Sequence, residues 1–294
     1  MSHNKAVAII LLGGSFMSLV GLVMRLMETD DGMVILFYRS ISLSAMVMTV
    51  ACLRRRESPL TFLGKLDKTD MAMGAALSIA FTTYVFAMLM TSVASTLFIL
   101  TTAPFMAALI GWVWINERPR PFTWIAMVAA LIGVGLMISD GFELGRTQGN
   151  IVALLSAFFF AVMLVLARRS KKDDVLGGTF LGGIIALSLA GISAIGFGDG
   201  LDIAGYDLTL ALFMGAFTIG IGIALVTSGA PYVPAAEVSL LVLIESVLGP
   251  LWPWLFLGED MSMLEIIGGV TVMAAVAGLA MLGTKRPRLA AQQQ

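Results

Sequence analysis

Long apolar runs alternate with short polar connections along the whole chain. One uncharged run, 71–116, is too long for a single crossing of a bilayer, and its most polar point is Thr91-Ser92. A helix needs about 20 mostly apolar residues to span roughly 30 Å of hydrocarbon. The pattern therefore predicts ten transmembrane helices, over about 5–27, 32–53, 70–91, 93–115, 121–139, 149–168, 175–197, 208–229, 235–257 and 262–283.

Lys and Arg are concentrated on one face of this predicted bundle. When both termini are placed on one side, fifteen of the 18 basic residues fall on that side, Arg25 and Arg146 fall on the other, and Arg39 lies inside the second helix. Loops rich in Lys and Arg remain on the cytoplasmic side of membranes. We therefore expect a multi-pass protein of the bacterial cell inner membrane with both termini in the cytoplasm.

The composition supports a membrane protein and excludes several kinds of chemistry. The chain of 294 residues is 59% hydrophobic and only 13% charged, whereas a soluble domain has about 25% charged residues. A single Cys and a single His, His3, cannot form a disulfide or a histidine-based metal site in the membrane core. No GxxxxGK[ST] phosphate loop is present. We expect a protein that is not an enzyme and has no cofactor, no metal and no nucleic-acid partner.

The chain contains a weak internal repeat. Matching residues recur at nearly constant spacing: Leu109/Leu251, Trp112/Trp254 and Glu117/Glu259 at 142, and Leu12/Leu155, Phe16/Phe159 and Arg25/Arg168 at 143. We therefore divide the chain into two five-helix repeats, 1–143 and 144–294. An odd number of crossings makes equivalent helices run in opposite directions, which gives an all-α fold of two inverted repeats. Transporters built in this way bind their substrate near mid-membrane between the halves.

Several loose motifs resemble one family. They are Arg39 in the second helix, the mid-helix Pro104, and the helix ends Asn116-Glu117 and Gly258-Glu259 before glycine-rich fifth and tenth helices. Together they resemble the drug/metabolite transporter superfamily, ten-helix EamA type. The resemblance covers nearly the whole chain and implies export of small metabolites by alternating access.

The eighth and sixth helices add a finer resemblance. The stretches GAFTIGIGIALVTSGA (215–230) and AFFFAVMLV are similar to the branch that exports aromatic and other neutral amino acids. In that branch, aromatic side chains of the fourth and sixth helices face the pocket. The matching positions here hold Thr101, Ala103 and Phe160, so only the aromatic residue of the sixth helix is retained.

Glu245 is the most unusual residue of the ninth helix. An ionised carboxylate at the centre of a bilayer costs about 2.5–3.5 kcal/mol, so Glu245 must face protein or a wet cavity. The first repeat has Ala103 at the equivalent place, and the packing of the repeat therefore does not require an acid. Two roles stay open: a group that carries a proton or binds a substrate amine, or a structural acid bonded to Ser239, Ser246 or a neighbouring helix.

The remaining candidates fall into two groups. Phe16, Tyr84, Thr101 and Phe160 join Glu245 as expected substrate-binding residues. Arg39 lies about 10 Å from the outer face at 1.5 Å per residue. It is expected to anchor helices at the outer gate, and the alternative is that it binds a substrate carboxylate. The other expected gating or structural residues are Pro104, Gly220, Gly222 and Pro250.

The sequence thus predicts an exporter that works as a monomer in the lipid bilayer on a small-molecule substrate. Neutral or aromatic amino acids are the favoured cargo, and protons are a candidate coupling ion. The alternatives are a different cargo, namely drugs, nucleosides or sugars, and a membrane receptor or scaffold that transports nothing.

Overall fold

The computed structural model describes residues 1–29, 31–90, 93–137, 147–170, 172, 175–198, 200–258 and 262–283. Over these ranges the chain is helical and contains no strand. Ten apolar helices follow one another: α1 (His3–Leu26), α2 (Gly32–Arg55), α3 (Lys68–Met90), α4 (Val93–Leu100 and Ala103–Ile115), α5 (Pro121–Met137), α6 (Thr147–Arg169), α7 (Leu176–Phe197), α8 (Gly205–Tyr232), α9 (Ala235–Val242 and Ile244–Leu257) and α10 (Met263–Gly283).

The observed helices confirm the predicted fold class. Eight of them are long and apolar enough to cross a membrane, and the apolar stretches Pro121–Leu136 and Ile266–Met281 in α5 and α10 are shorter. Each predicted boundary lies within three residues of the end that the structure describes. The predicted division at Thr91-Ser92 lies outside the described residues, as does Glu259 of the repeat.

Contacts between distant loops identify the two faces of the bundle. Arg54 donates a hydrogen bond from Nη1 to Oγ of Ser228 at 2.6 Å, on the face that carries the start of α1, which we call the N-face. On the opposite, far face, the Tyr38 hydroxyl donates to the carbonyl of Leu201 at 2.8 Å. The backbone N–H groups of residues 28 and 29 donate to the Asp207 carboxylate there. Each helix therefore runs from one face of the bundle to the other.

The packing of the helices has a pseudo-two-fold pattern. Helix α3 packs against α6 and α7, and α8 packs against α1 and α2. Across the halves, α2 packs on α7, α4 on α9 and α5 on α10. When each helix is exchanged with the one five positions along, this set of contacts is converted into itself. Equivalent helices run in opposite directions, so the two halves are inverted repeats.

The backbone irregularities of α4 and α9 repeat as well. Helix α4 is interrupted at Thr101-Thr102, and α9 is interrupted at Leu243, 142 positions after Thr101. The two helices end at Asn116 (φ 55°) and Gly258 (φ 68°), again 142 apart and both in the left-handed region. Such a residue closes the C-terminal end of a helix. The repeat therefore extends to local backbone geometry, although sequence identity between the halves is low.

Close glycine contacts fix how α1 meets α8. A Cβ atom on Gly13 would lie 2.6 Å from the carbonyl oxygen of Gly222, and one on Gly222 would lie 2.9 Å from the carbonyl oxygen of Gly13. Small residues allow helices in membranes to approach to this distance. Gly222 thus has a packing position between the halves. Gly220 ends the π-helical segment Met214–Gly220 of α8, and a Cβ there would lie 2.6 Å from the Gly215 carbonyl oxygen.

Candidate functional site: a cavity between the two halves

A cavity of about 120 Å³ lies between the two repeats. Helices α1, α2, α3, α4, α6, α8 and α9 contribute to its wall, and most lining positions are in the middle of a helix or in its far-face half. The volume is sufficient for several water molecules or one small solute. The polar members of the lining are Arg39, Tyr84, Ser156, Ser239, Glu245 and Ser246.

The two helix interruptions lie at the cavity wall. Leu100 and Ala103 flank the break in α4, and Val242 and Leu243 mark the break in α9. At the α4 break, the hydroxyl of Thr101 donates to the Phe98 carbonyl at 2.5 Å. Local bonds of this kind satisfy part of the backbone that the interruption frees. The breaks therefore position small and polar side chains where two regular helices would close the space.

Glu245 is the only carboxylate in the cavity lining that the structure describes, and it has no hydrogen bond or ion pair among the described residues. Ser239 and Ser246, its expected structural partners, line the same cavity without bonding it. The equivalent residue of the first repeat, Ala103, also faces the cavity. Within the described residues, the Glu245 carboxylate is therefore not neutralised by an ion pair.

Arg39 supplies a positive charge to the same cavity. The residue is only 4% exposed, and its guanidinium carbon lies 5.5 Å from the centre of the Phe81 ring. A cation over an aromatic face is stabilised by the ring quadrupole. The phenol of Tyr84 interacts electrostatically with both Arg39 and Glu245, and all three side chains line the same cavity.

Three aromatic rings complete the wall. Phe81 and Tyr84 lie one turn apart on α3, and Phe160 faces them from α6. Ser156, one turn before Phe160, donates a hydrogen bond from Oγ to the carbonyl of Ala80 at 2.9 Å, which ties α6 to α3. The rings are thus held by a contact between helices of opposite halves.

The structure brings together some of the predicted site residues and separates others. Arg39, Tyr84, Phe160 and Glu245 line one cavity. Phe16 does not: its neighbour Met17 takes that place, and Phe16 itself is half-buried elsewhere. Thr101 is buried in the α4 break rather than in the lining.

Of the other expected gating or structural residues, Pro104, Gly220 and Gly222 lie outside the lining. Pro104 starts the second segment of α4, where a missing N–H is tolerated. Gly220 and Gly222 are in contacts between helices, as described above. Pro250 belongs to α9, and its side chain is outside the described part of the structure.

Sequence reasoning did not single out several lining residues, among them Met17, Phe81 and Ser156. Helical spacing offers a signal for two of them. Phe81 precedes Tyr84 by three positions and Ser156 precedes Phe160 by four, and residues at these spacings share one helix face.

On the N-face side of the cavity, one arginine joins three segments of the chain. Arg168 at the end of α6 donates from Nε and Nη2 to Oε1 of Glu117, at 3.2 and 3.0 Å, and from Nη1 to the carbonyl of Pro231. These contacts join α6 to the α4–α5 connection and to the segment between α8 and α9. The cavity is therefore bounded toward the N-face by polar contacts and extends toward the far face.

Known proteins share the two-repeat organisation of this chain. The sequence profile of the EamA-like transporter family matches residues 4–139 and again residues 147–281. The chain therefore belongs to the EamA-like transporter family, within the drug/metabolite transporter superfamily, and the class of protein is a membrane transporter.

Two curated relatives and one solved structure show the extent of the likeness. An "Uncharacterized transporter" of Archaeoglobus fulgidus is 26% identical over 214 residues, which cover 72% of this chain and 76% of that protein. The "Uncharacterized transporter YdfC" of Bacillus subtilis is 28% identical over 187 residues, 60% of this chain and 59% of that protein. A crystal structure with 18% identity superposes with a TM-score of 0.81 over 97% of this chain and all 100% of its own, which shows the shared fold.

Proposed function

We propose that this transporter exports small neutral or aromatic amino acids by alternating access. One observation carries the proposal: a carboxylate and a guanidinium, Glu245 and Arg39, face the same cavity and both interact electrostatically with Tyr84. A zwitterionic solute presents an ammonium and a carboxylate a short distance apart. The cavity therefore offers one partner of opposite charge for each end of such a solute.

The remaining wall suits an apolar side chain. Phe81, Tyr84 and Phe160 present aromatic surface to the same cavity. Aromatic pairs are worth about 0.5–1.5 kcal/mol beyond the area that they bury. A phenylalanine or leucine side chain gains more from this wall than a polar one, because the lining has few other hydrogen-bonding groups.

Alternating access requires the N-face to open while the far face closes. The inverted repeat supports this step, because exchange of the conformations of the two halves exchanges the two openings. In the structure, Arg168–Glu117 and Arg54–Ser228 hold the N-face together. We propose that these contacts break when the cavity opens to the cytoplasm, on which side we place the N-face.

Counterflow in proteoliposomes tests the cargo. Labelled phenylalanine and leucine are expected to exchange, whereas phenethylamine, which lacks the carboxylate, and N-acetylphenylalanine, which lacks the ammonium, exchange poorly. Exchange of a lipophilic cation or a nucleoside in place of amino acids would show that the cargo belongs to that class of solute and is not an amino acid. Exchange of no solute at all would favour a scaffold and overturn the proposal.

Two variants test the residues. Glu245→Gln removes the charge that pairs with the ammonium and is expected to reduce exchange at least about tenfold, the effect of losing one hydrogen bond to a charged group. Arg39→Gln is expected to act similarly through the carboxylate. Glu57→Gln, in an N-face loop away from the cavity, is the matched control. Normal exchange by Glu245→Gln, with unchanged melting, would remove Glu245 from the mechanism.

A further inference from the structure

A second pocket lies between the cavity and the N-face. It has a volume of about 190 Å³ and is bounded by α4, by the connection 117–120, by the start of α5 and by the start of α9, 234–237. Acidic and basic side chains both contribute to its wall, from Glu117, Arg118, Arg120 and Glu237. None of these residues lines the cavity described above.

The two pockets are aligned along the contact between α4 and α9. Ala103 lines the cavity and Ala107, one turn along α4, lines the second pocket. Ser239 lines the cavity and Ala235, one turn back along α9, lines the second pocket. One helical turn rises about 5.4 Å, so the two spaces are separated by roughly that distance and by small side chains. A solute that moves from one pocket to the other passes between these residues.

Two polar atoms at the second pocket are buried and lack partners. Thr123 is 1% exposed, and its Oγ1 has no hydrogen bond among the described residues. Glu117 is engaged by Arg168 through Oε1 only, and its Oε2 is buried without a partner. Native proteins leave few buried polar atoms unsatisfied, and each one costs about 1–3 kcal/mol. Both residues line the second pocket, and a carboxylate oxygen and a hydroxyl oxygen are each acceptors for an ammonium group.

Open space beside these atoms is shown by one glycine. Gly111 lines the second pocket, and a Cβ atom on it would meet nothing within 4 Å. Most glycines of the bundle contact a neighbouring helix, as Gly13 does at 2.6 Å. The space beside Gly111 therefore belongs to the second pocket, and a Cβ atom can be added there without a clash.

We infer that the second pocket is an inner binding station of the transport path, where Glu117 Oε2 and Thr123 Oγ1 receive the ammonium group of a solute near the N-face. The inference rests on the proposed amino-acid export and adds a second site to it. The solute binds there first, and the separation of α4 from α9 passes it to Glu245. The α4–α9 contact is thus the barrier between the two sites.

Transport measured separately from each side tests the inner station. In inside-out and right-side-out membrane vesicles, Thr123→Val is expected to raise the KM for phenylalanine about tenfold from the N-face and to leave the far-face KM unchanged. Thr123→Ser keeps the hydroxyl and is expected to lie much nearer to the unaltered protein. Equal KM values for Thr123→Val and the unaltered protein on the N-face would overturn the station.

Filling the pocket provides a second, independent test. Gly111→Leu is expected to raise the N-face KM without lowering the melting temperature, and Gly196→Leu, at another glycine with open space but outside both pockets, is expected to change neither. If the unaltered protein exchanges no amino acid, the proposed function fails. If it exchanges amino acids and Gly111→Leu has a normal N-face KM, only the inner station fails.

Discussion

Arg168 and Glu117 are joined by two hydrogen bonds to a single carboxylate oxygen, at 3.2 and 3.0 Å, across the boundary between the two repeats. Both side chains are 23% exposed. Because Arg168 also reaches the carbonyl of Pro231, its removal releases three segments at once. The opening of the N-face proposed above requires these contacts to break.

Arg168→Gln is therefore expected to favour the state that is open to the N-face. A reporter cysteine, Ala107→Cys in a Cys52→Ser background, would react several-fold faster with a water-soluble maleimide added on that side. Arg169→Gln is the matched control, since Arg169 lies next to it and stacks on Trp114 at 5.8 Å instead. Equal labelling rates in the two variants would show that Arg168 does not hold the N-face closed.

The glycine contact between α1 and α8 predicts a stability difference between two like substitutions. Gly13→Ala pushes a methyl group to 2.6 Å from the Gly222 carbonyl and is expected to destabilise the protein by about 1–3 kcal/mol. Gly111→Ala meets open space and is expected to be neutral or to stabilise by about 0.5–1 kcal/mol, as alanine favours helix. Melting in detergent compares them. Similar melting of both would indicate that α1 and α8 can move apart without cost.

An ion-pair cluster at the N-face gives a pH-dependent prediction. Lys172 Nζ lies 2.8 Å from Oδ2 of both Asp67 and Asp70, and its hydrogen bond holds the pKa of Asp67 below the ordinary 3.8, at about 2. Because the pKa of Asp67 is lower in the folded than in the unfolded protein, its ionised form stabilises the fold at pH values above the unfolded pKa. This contribution is lost as the pH falls from about 4 to about 2. Asp67 is 49% exposed, so the effect is less than about 1 kcal/mol.

Lys172→Gln is accordingly expected to melt at a slightly lower temperature than the unaltered protein at pH 6. The difference in melting temperature is expected to shrink between pH 4 and pH 2. Lys5→Gln removes the same charge from the same face outside the cluster and is the control. A difference that stays constant with pH would contradict a role for Asp67.

Proton coupling is a prediction of the proposed role of Glu245 in binding the solute. If the ammonium of the substrate and a proton compete for Glu245, a proton gradient directed into the cytoplasm is expected to accelerate export in vesicles. The acceleration would disappear in Glu245→Gln, while the rate without a gradient is already low. Export that ignores the gradient in the unaltered protein would indicate facilitated diffusion.

Labelling of single cysteines tests the inversion of the repeats. Arg118 follows the end of α4 at the N-face, and Asp260, its equivalent, lies outside the described residues two positions after Gly258. Arg118→Cys is expected to react only with reagent on the cytoplasmic side and Asp260→Cys only on the outer side. Labelling of both from one side would rule out the ten-helix inverted arrangement.

The sequence was sufficient for the fold because the bilayer demands long apolar helices, and their number and direction follow from the charges between them. It was sufficient for Arg39, Tyr84 and Glu245 because polar groups at that depth must face the interior. It did not predict that Phe16 and Thr101 lie outside the lining, because apolar or weakly polar residues give no signal that separates lipid, packing and cavity. Thr101 lies at the break in α4, and helical spacing cannot be continued through such a break.

The matched positions Ala103 and Glu245 have a further evolutionary consequence. The two repeats are related by a pseudo-two-fold axis and present matched walls to the cavity, and at this pair of positions only one wall carries an acid. Because the alanine wall shows that the architecture tolerates a neutral residue there, the cargo of such proteins can diversify at this position while the bundle that opens and closes around it is inherited intact.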